Sequence, residues 1–361
     1  MDMNSRLDIE DIIRAGVTAP SGDNLQPWHF EAKEDTIDVF ITEPDKLDLT
    51  IGKHHLYLTH GALIENLVIA ADHFGYKTEV TLMPNPDNEL HTASIKIEPD
   101  TNDYQVDLFR FFKERSTDRS KYYNKPLSEE QKVTLSKPSN NYLEGSRLVF
   151  IENRDAIDSL ADAVSGQITL FFGHQQLHEM FYRTLRWTAK SALKTRDGLY
   201  LKTLRIDSFK ALSLHFVLES WTMVNFLKKL SFNKVLAKLE ALKYSQTGAF
   251  CVLISNDSQT SRKAALNSGR TLQRVWLEAT KIQLGVQPAA AMFLIKEALN
   301  EQCLQVSEAQ EKFIDEKILQ SNLACGTTSG EKIIWAIRIG KSKAKKKYPT
   351  LRKEPKIMFT Q

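Results

Sequence analysis

The feature that most constrains the fold is a faint internal repeat. Residues 61–72, GALIENLVIAAD, can be laid on residues 269–280, GRTLQRVWLEAT, with Gly61 on Gly269, Ile64 on Leu272, Leu67 on Val275 and Ala71 on Ala279. Both segments have the apolar spacing of a helix, and each is followed within a few residues by glycine, Gly75 or Gly285. A second pair is weaker: APSGDNLQPWHF (19–30) answers to KPSNNYLEGSRLVF (137–150), keeping Pro138 and Ser139 but losing the Q-P-W element. A repeat of this kind means a doubled architecture. Two amphipathic helices can also match by chance, and this pair alone does not separate the two readings.

The rest of the chain reads as α+β. Leu7, Ile9, Ile12, Ile13 and Val17 make a helical stripe closed by Pro20. Strand-like TIDVFITE, a helix over Leu56–Phe74 ending at Gly75, and the alternating run HTASIKIEP complete a first half, residues 1–105. The second half, 106–361, opens with VDLFRFFKERSTDRSKYYNKPLSEEQKVTL, which predicts a helix, a polar turn containing arginines, and a helix capped by Ser128 with Glu130 and Gln131 behind it. RLVFIE, GAFCVLIS and GEKIIWAIRIG have the character of buried strands. Between them, residues 155–245 form a helical, aromatic insertion. Its segment ALSLHFVLESWTMVNFLKKL, ending in Lys228 and Lys229, raises a membrane-surface reading. Because surface helices normally carry a cleaner charged face, a buried helix or a lid over a pocket is the better expectation.

Composition narrows the partners. A net charge of +3 is too mild for a nucleic-acid-binding protein, and the cluster Lys341–Lys347 reads as a solvated linker. Cys251, Cys303 and Cys325 are odd in number and far apart, which suits a reducing compartment rather than a disulfide framework. The first residues lack the apolar core of a signal peptide, and no run reaches the roughly 18 apolar residues of a membrane span, so the expectation is a cytoplasmic protein without a membrane partner. His54, His55 and His60 lack the one-face spacing of helical zinc ligands, and no metal is expected.

The sharpest local signal is Ala19-Pro20-Ser21-Gly22-Asp23-Asn24-Leu25-Gln26-Pro27-Trp28-His29-Phe30. Its Pro-Ser-Gly-Asp-Asn bend gathers small polar side chains and free backbone N–H groups, which suits a ribityl chain or a phosphate. These residues resemble an A-P-S-(S/G)-x-N-x-Q-P-W-x-F element of the nitroreductase superfamily. A second element, Arg115-Ser116-Thr117-Asp118-Arg119 with Tyr122 and Pro126-Leu127-Ser128-Glu129-Glu130-Gln131, is similar to that family's arginine turn. In ordinary members the arginine turn comes first, and here it follows the serine turn. The order resembles the single-chain Acg-type subgroup, in which two nitroreductase-like halves form an intramolecular pseudo-dimer.

What the resemblance implies can be placed on residues. It implies a flavin mononucleotide (FMN) site built from the arginine turn of the second half and the serine turn of the first, with the reciprocal site dead. Arg115 and Thr117 would hold the phosphate end, and Arg119 would face the pyrimidine edge of the flavin. Ser21, Asn24 and Gln26 would line the opposing wall. The loop containing Ala289 and Ala290 would present a backbone N–H to the flavin, and Arg352 in YPTLRKEP would reach the phosphate. The implied activity is hydride transfer from NAD(P)H through FMN to a small-molecule acceptor such as a nitroaromatic or quinone, with no side chain acting as general acid or base. An FMN store with a lidded flavin is the alternative, and service to a larger biosynthetic assembly is a third possibility. The unit would be a monomeric pseudo-dimer, with further homodimerisation left open.

Overall fold

The computed structural model describes residues 3–42, 52–100, 108–138, 145–256, 261–344 and 348–360, without the side chains of residues 3–7 and 208–210. Two antiparallel-based sheets and a helical insertion organise it, which makes the chain α+β. The first sheet takes β1 (Trp28–Lys33), β2 (Thr36–Ile41), β3 (Tyr76–Leu82) and β4 (His91–Pro99). In β2 the residues alternate buried and half-buried, so one face packs inward. Onto that face lie α1 (Met3–Gly16) and α2 (His54–His73), whose Ile12, Ile13, Leu63, Ile64 and Leu67 share one core with Phe30, Ile37 and Val39. Gly75 ends α2 as expected, with φ +84 in the left-handed region that glycine tolerates best.

The second sheet begins after α3 (Glu129–Ser136), where Ser128 and Gln131 form the expected capping box. It takes β5 (Ser146–Ile151) and, after the insertion, β8 (Ala249–Asn256), β9 (Gly285–Pro288) and β10 (Glu331–Gly340), in the order β5-β8-β10-β9. The insertion therefore interrupts two paired neighbours, β5 and β8. It runs through α4 (Arg154–Phe171), α5 (Gln175–Thr184), the short strands β6 (Leu185–Arg186) and β7 (Leu199–Tyr200), α6 (Ala189–Thr195), α7 (Ser208–Glu219), α8 (Trp221–Lys229) and α9 (Phe232–Ser245). Three further helices, α10 (Arg262–Lys281), α11 (Ala291–Asn300) and α12 (Glu308–Cys325), complete the second half. The helix expected over VDLFRFF is reduced, among the described residues, to a 3-10 turn at Leu108–Phe111; residues 106–107 lie outside them.

The strands β1, β3, β6, β7 and β9 were not read from the sequence, and neither was the last one. β11 (Ile357–Phe359) runs parallel to β1 and extends the first sheet to the order β11-β1-β2-β4-β3. The last described segment thus leaves the second half and joins the sheet of the first.

The repeated helices α2 and α10 cross at their aligned glycines. A Cβ on Gly61 would stand 1.9 Å from the Leu266 carbonyl oxygen, and one on Gly269 would stand 2.0 Å from that of Leu58. Only hydrogen at both positions permits so close an approach. The shift that aligns the two glycines also carries Leu58 onto Leu266, Glu65 onto Gln273 and Asn66 onto Arg274. The contacts obey it. Buried Glu65 is ion-paired with Arg274, and the image of that pair, Gln273 with Asn66, is a hydrogen bond of 2.6 Å. Arg270 also pairs with Glu65, at 2.8 Å. The weaker repeat pair involves residues 139–144, which lie outside the described residues.

Candidate functional site

The serine turn is an unusual piece of backbone. Asp23, Asn24 and Gln26 all have positive φ, 46°, 58° and 57°, a conformation that costs non-glycine residues energy and persists where surroundings enforce it. Two local bonds enforce it: the Gln26 N–H donates to Ser21 Oγ at 3.1 Å, and Gln26 Nε2 donates to the Asn24 carbonyl at 3.1 Å. Behind the turn, the buried His60 of α2 lies 3.0 Å from the Pro27 carbonyl and 2.9 Å from Thr92 Oγ1. Burial pushes its imidazole down to about 4.

The arginine turn reaches the same place from the other half. Its backbone is fastened to β9, with the Asp118 N–H donating to the Val286 carbonyl at 2.8 Å and Thr117 bridging Val286. Arg115 is buried, lies over the Trp276 ring with 4.7 Å between the guanidinium carbon and the ring centroid, and donates to the Thr18 carbonyl at 3.2 Å. Its Nε has no hydrogen-bond partner. Arg352 donates to the Val17, Thr18 and Ala19 carbonyls at 3.0, 3.1 and 2.9 Å, and to Asn24 Oδ1 at 2.7 Å. Arg115 and Arg352 thus share the Thr18 carbonyl. Burial, reinforced by the Arg352 charge, pushes the Arg115 guanidinium down to about 9, and burial brings Arg352 to about 10.

Arg119 approaches from the flank, donating to the Thr203 carbonyl at 3.3 Å. Burial lowers its pKa, opposed by Tyr244 and by Asp23, the neighbour of Asn24. The residues expected from the two halves therefore lie against one another. Among the described residues, no carboxylate is ion-paired with Arg115, Arg119 or Arg352. Two guanidiniums on one carbonyl, one of them with an orphaned nitrogen, form a site in want of an anion.

Ala289 and Ala290 stand differently. The Ala289 N–H donates to the Ala336 carbonyl at 2.8 Å and its side chain is in the core, so this amide is committed to the fold. Ala290 caps the start of α11. Ser21 acts through its bond to Gln26 N–H, and Thr117 lines a small cleft with Ser116, Asp118, Thr203, Arg205 and Tyr348.

The insertion covers the two turns, as the lid expectation had it, but the residues that make the cover were not singled out in the sequence. Residues 196–205 lie on both turns. Gln26 Nε2 donates to the Arg196 carbonyl at 2.9 Å, the Gly198 N–H donates to the Asn24 carbonyl at 3.3 Å, and Arg205 pairs with Asp118 at 3.3 Å. The cleft left beside Thr117 has no room for a flavin-sized ligand while this segment lies in place. Arg196-Asp197-Gly198 reads in the sequence only as a turn between helices. Trp276 beneath Arg115 was likewise unmarked beyond its place in the W-L-E-A-T segment.

No family profile matches the chain. An uncharacterised protein of Mycobacterium tuberculosis is 24% identical over 286 residues, covering 79% of this chain and 39% of that protein. From the same organism, a protein bearing the provisional name NAD(P)H nitroreductase acg is 32% identical over 93 residues, 25% of this chain and 28% of its own. Another provisionally named NAD(P)H nitroreductase is 28% identical over 116 residues, 32% of this chain and 34% of that one. Over these stretches the chain is similar to proteins that bear the provisional name NAD(P)H nitroreductase. The matched part spans about two fifths or less of the length of those curated proteins. Among solved structures the chain has a distant likeness, TM-score 0.40 at 10% identity, to an FMN-bound nitroreductase of Desulfitobacterium hafniense, covering 72% of this chain and all of that one.

Proposed function

We propose that the chain is an FMN-dependent oxidoreductase of nitroreductase type, its two halves acting as an internal pseudo-dimer with a single working flavin site. The observation that carries the reading is the group of arginines that form no ion pair with a carboxylate among the described residues, the buried Arg115 with its orphaned Nε above all, set against the serine turn of the other half. Those residues fit an anionic cofactor: Arg115 and Arg352 would hold its phosphate, and Asn24 would orient Arg352. Arg119 would place positive charge at the ring edge, where it favours the reduced, anionic form. Bound FMN would supply hydride and electron transfer between NAD(P)H and a small-molecule acceptor such as a nitroaromatic or quinone. The protein's own part is to bind, orient and exclude water, and no side chain is assigned a proton. The matched contacts across α2 and α10 support the pseudo-dimer with halves 1–105 and 106–361.

A second reading, an FMN store, is favoured by the way residues 196–205 are bonded onto both turns. One experiment separates the two. The purified protein is expected to be yellow with a single FMN per chain, and Arg115→Ala to lose the pigment while keeping its circular dichroism spectrum. Anaerobic mixing with NADH or NADPH in a stopped-flow instrument then bleaches the visible flavin band of an oxidoreductase. Persistent colour assigns storage, and a colourless wild type that takes up no FMN overturns both.

A further inference from the structure

The helices at the end of the insertion are apolar on two sides. Inward, Leu218 and Val224 join Phe172, Leu185, Leu199 and Leu201 in a closed cluster. Outward, large apolar side chains remain in solvent as i, i+4 pairs, one pair on each helix. Leu212 and Phe216 of α7 are 73% and 70% exposed, Phe226 of α8 and Leu230 at its C-cap 57% and 64%, and Val235 and Leu239 of α9 54% and 58%. Residues four apart lie on one face of a helix, so each helix presents a stripe and not a scatter of single residues. Isolated exposed apolar residues are ordinary, whereas three paired stripes on successive helices mark an interaction surface.

Charge identifies the occupant. Residues 208–245, which carry α7, α8 and α9, hold six lysines against two acidic residues, a net +4 in a chain whose total is only +3. The rest of the protein is therefore negative. Lys229, Lys234 and Lys238 are exposed beside the apolar pairs. A second copy seated on this face would bring two strongly positive segments together, which opposes association. An anionic bilayer offers both what the stripes and what the lysines need, hydrocarbon and negative potential. No helix among the described residues is long and apolar enough to cross a membrane, so the attachment is to the surface.

We propose that α7, α8 and α9 form a docking face for an anionic lipid bilayer, with the apolar pairs entering the acyl boundary and the lysines meeting the headgroups. The docking does not depend on a bound flavin. The full chain is mixed with vesicles of phosphatidylcholine alone, or with added phosphatidylserine, and sedimented. Binding is expected with the anionic vesicles, falling as salt rises. The double variant Phe216→Glu, Phe226→Glu should weaken it by about tenfold or more while leaving thermal unfolding in place, because both rings are already in water. Absence of binding to either vesicle overturns the proposal, as does undiminished binding by the variant. A dimer in analytical ultracentrifugation that the same variant abolishes, without vesicle binding, assigns the face to a second copy and also overturns it.

Discussion

Replacing Gly61 by alanine should destabilise the protein, although in most helix interiors the same change is favourable. Alanine gains about 1 kcal/mol over glycine in an exposed helix through backbone entropy. At this crossing, however, the new methyl would lie 1.9 Å from the Leu266 carbonyl oxygen, where separations under 3.0 Å are not tolerated. The obstacle is backbone, so no rotamer change relieves it, and α2 and α10 must part by about 1 Å at the centre of the molecule. Overpacking of this kind costs about 1–3 kcal/mol and occasionally more, enough to outweigh the helix gain. Gly269→Ala meets the Leu58 carbonyl at 2.0 Å and should cost a similar amount. Once one methyl has parted the helices the second finds room, so the double variant should lose less than the sum of the singles by about 1 kcal/mol. Urea denaturation at unchanged m-value measures all three. Gly166→Ala is the control, because its methyl meets the movable end of Met292 at 2.8 Å. A Gly61→Ala protein more stable than wild type would refute the close crossing and, with it, the pseudo-twofold arrangement of the halves.

Two further outcomes follow from buried charge. Glu65→Ala removes the buried carboxylate paired with Arg270 and Arg274 and should cost about 3–5 kcal/mol in urea denaturation, as breaking a buried pair does; a loss under about 1 kcal/mol would count against the buried pair. His60, lowered by burial to about 4, binds a proton more readily in the unfolded chain, so its contribution to stability is intact above about pH 6.5 and is lost as pH falls toward 4. Between pH 7.5 and 5 this amounts to about 2 kcal/mol, which should shrink in His60→Gln; an identical pH dependence in the variant would exclude His60 as its source.

How much of this was legible in the sequence depended on which atoms carry each contact. The serine turn could be read because Ser21, Asn24 and Gln26 use side chains, and left-handed φ at Asp23 and Asn24 suits those residue types. Arg115, Arg119 and Arg352 were legible for the same reason. A lid was expected, but the residues by which it covers them were not legible, because the cover is made largely by the backbone carbonyls of Arg196, Gly198 and Thr203, and a carbonyl leaves no mark on residue identity. Ala289 was misleading in a related way: strand pairing of β9 with β10 takes its N–H, a fact of register. β11 has three residues and no alternation to distinguish it from a loop. The repeat was ambiguous as a pattern, and its physical content lies in which atoms meet at Gly61 and Gly269.

The pairing of β11 with β1 sets an order of events during synthesis. The strand that closes the outer edge of β1 is made only after everything from β2 to β10, on the order of tens of seconds later at ordinary translation rates. Until then an unpaired β-edge stands open, a template for association with other nascent chains. Arg352 arrives in the same late stretch, so its bond to Asn24 and the protected edge are completed together.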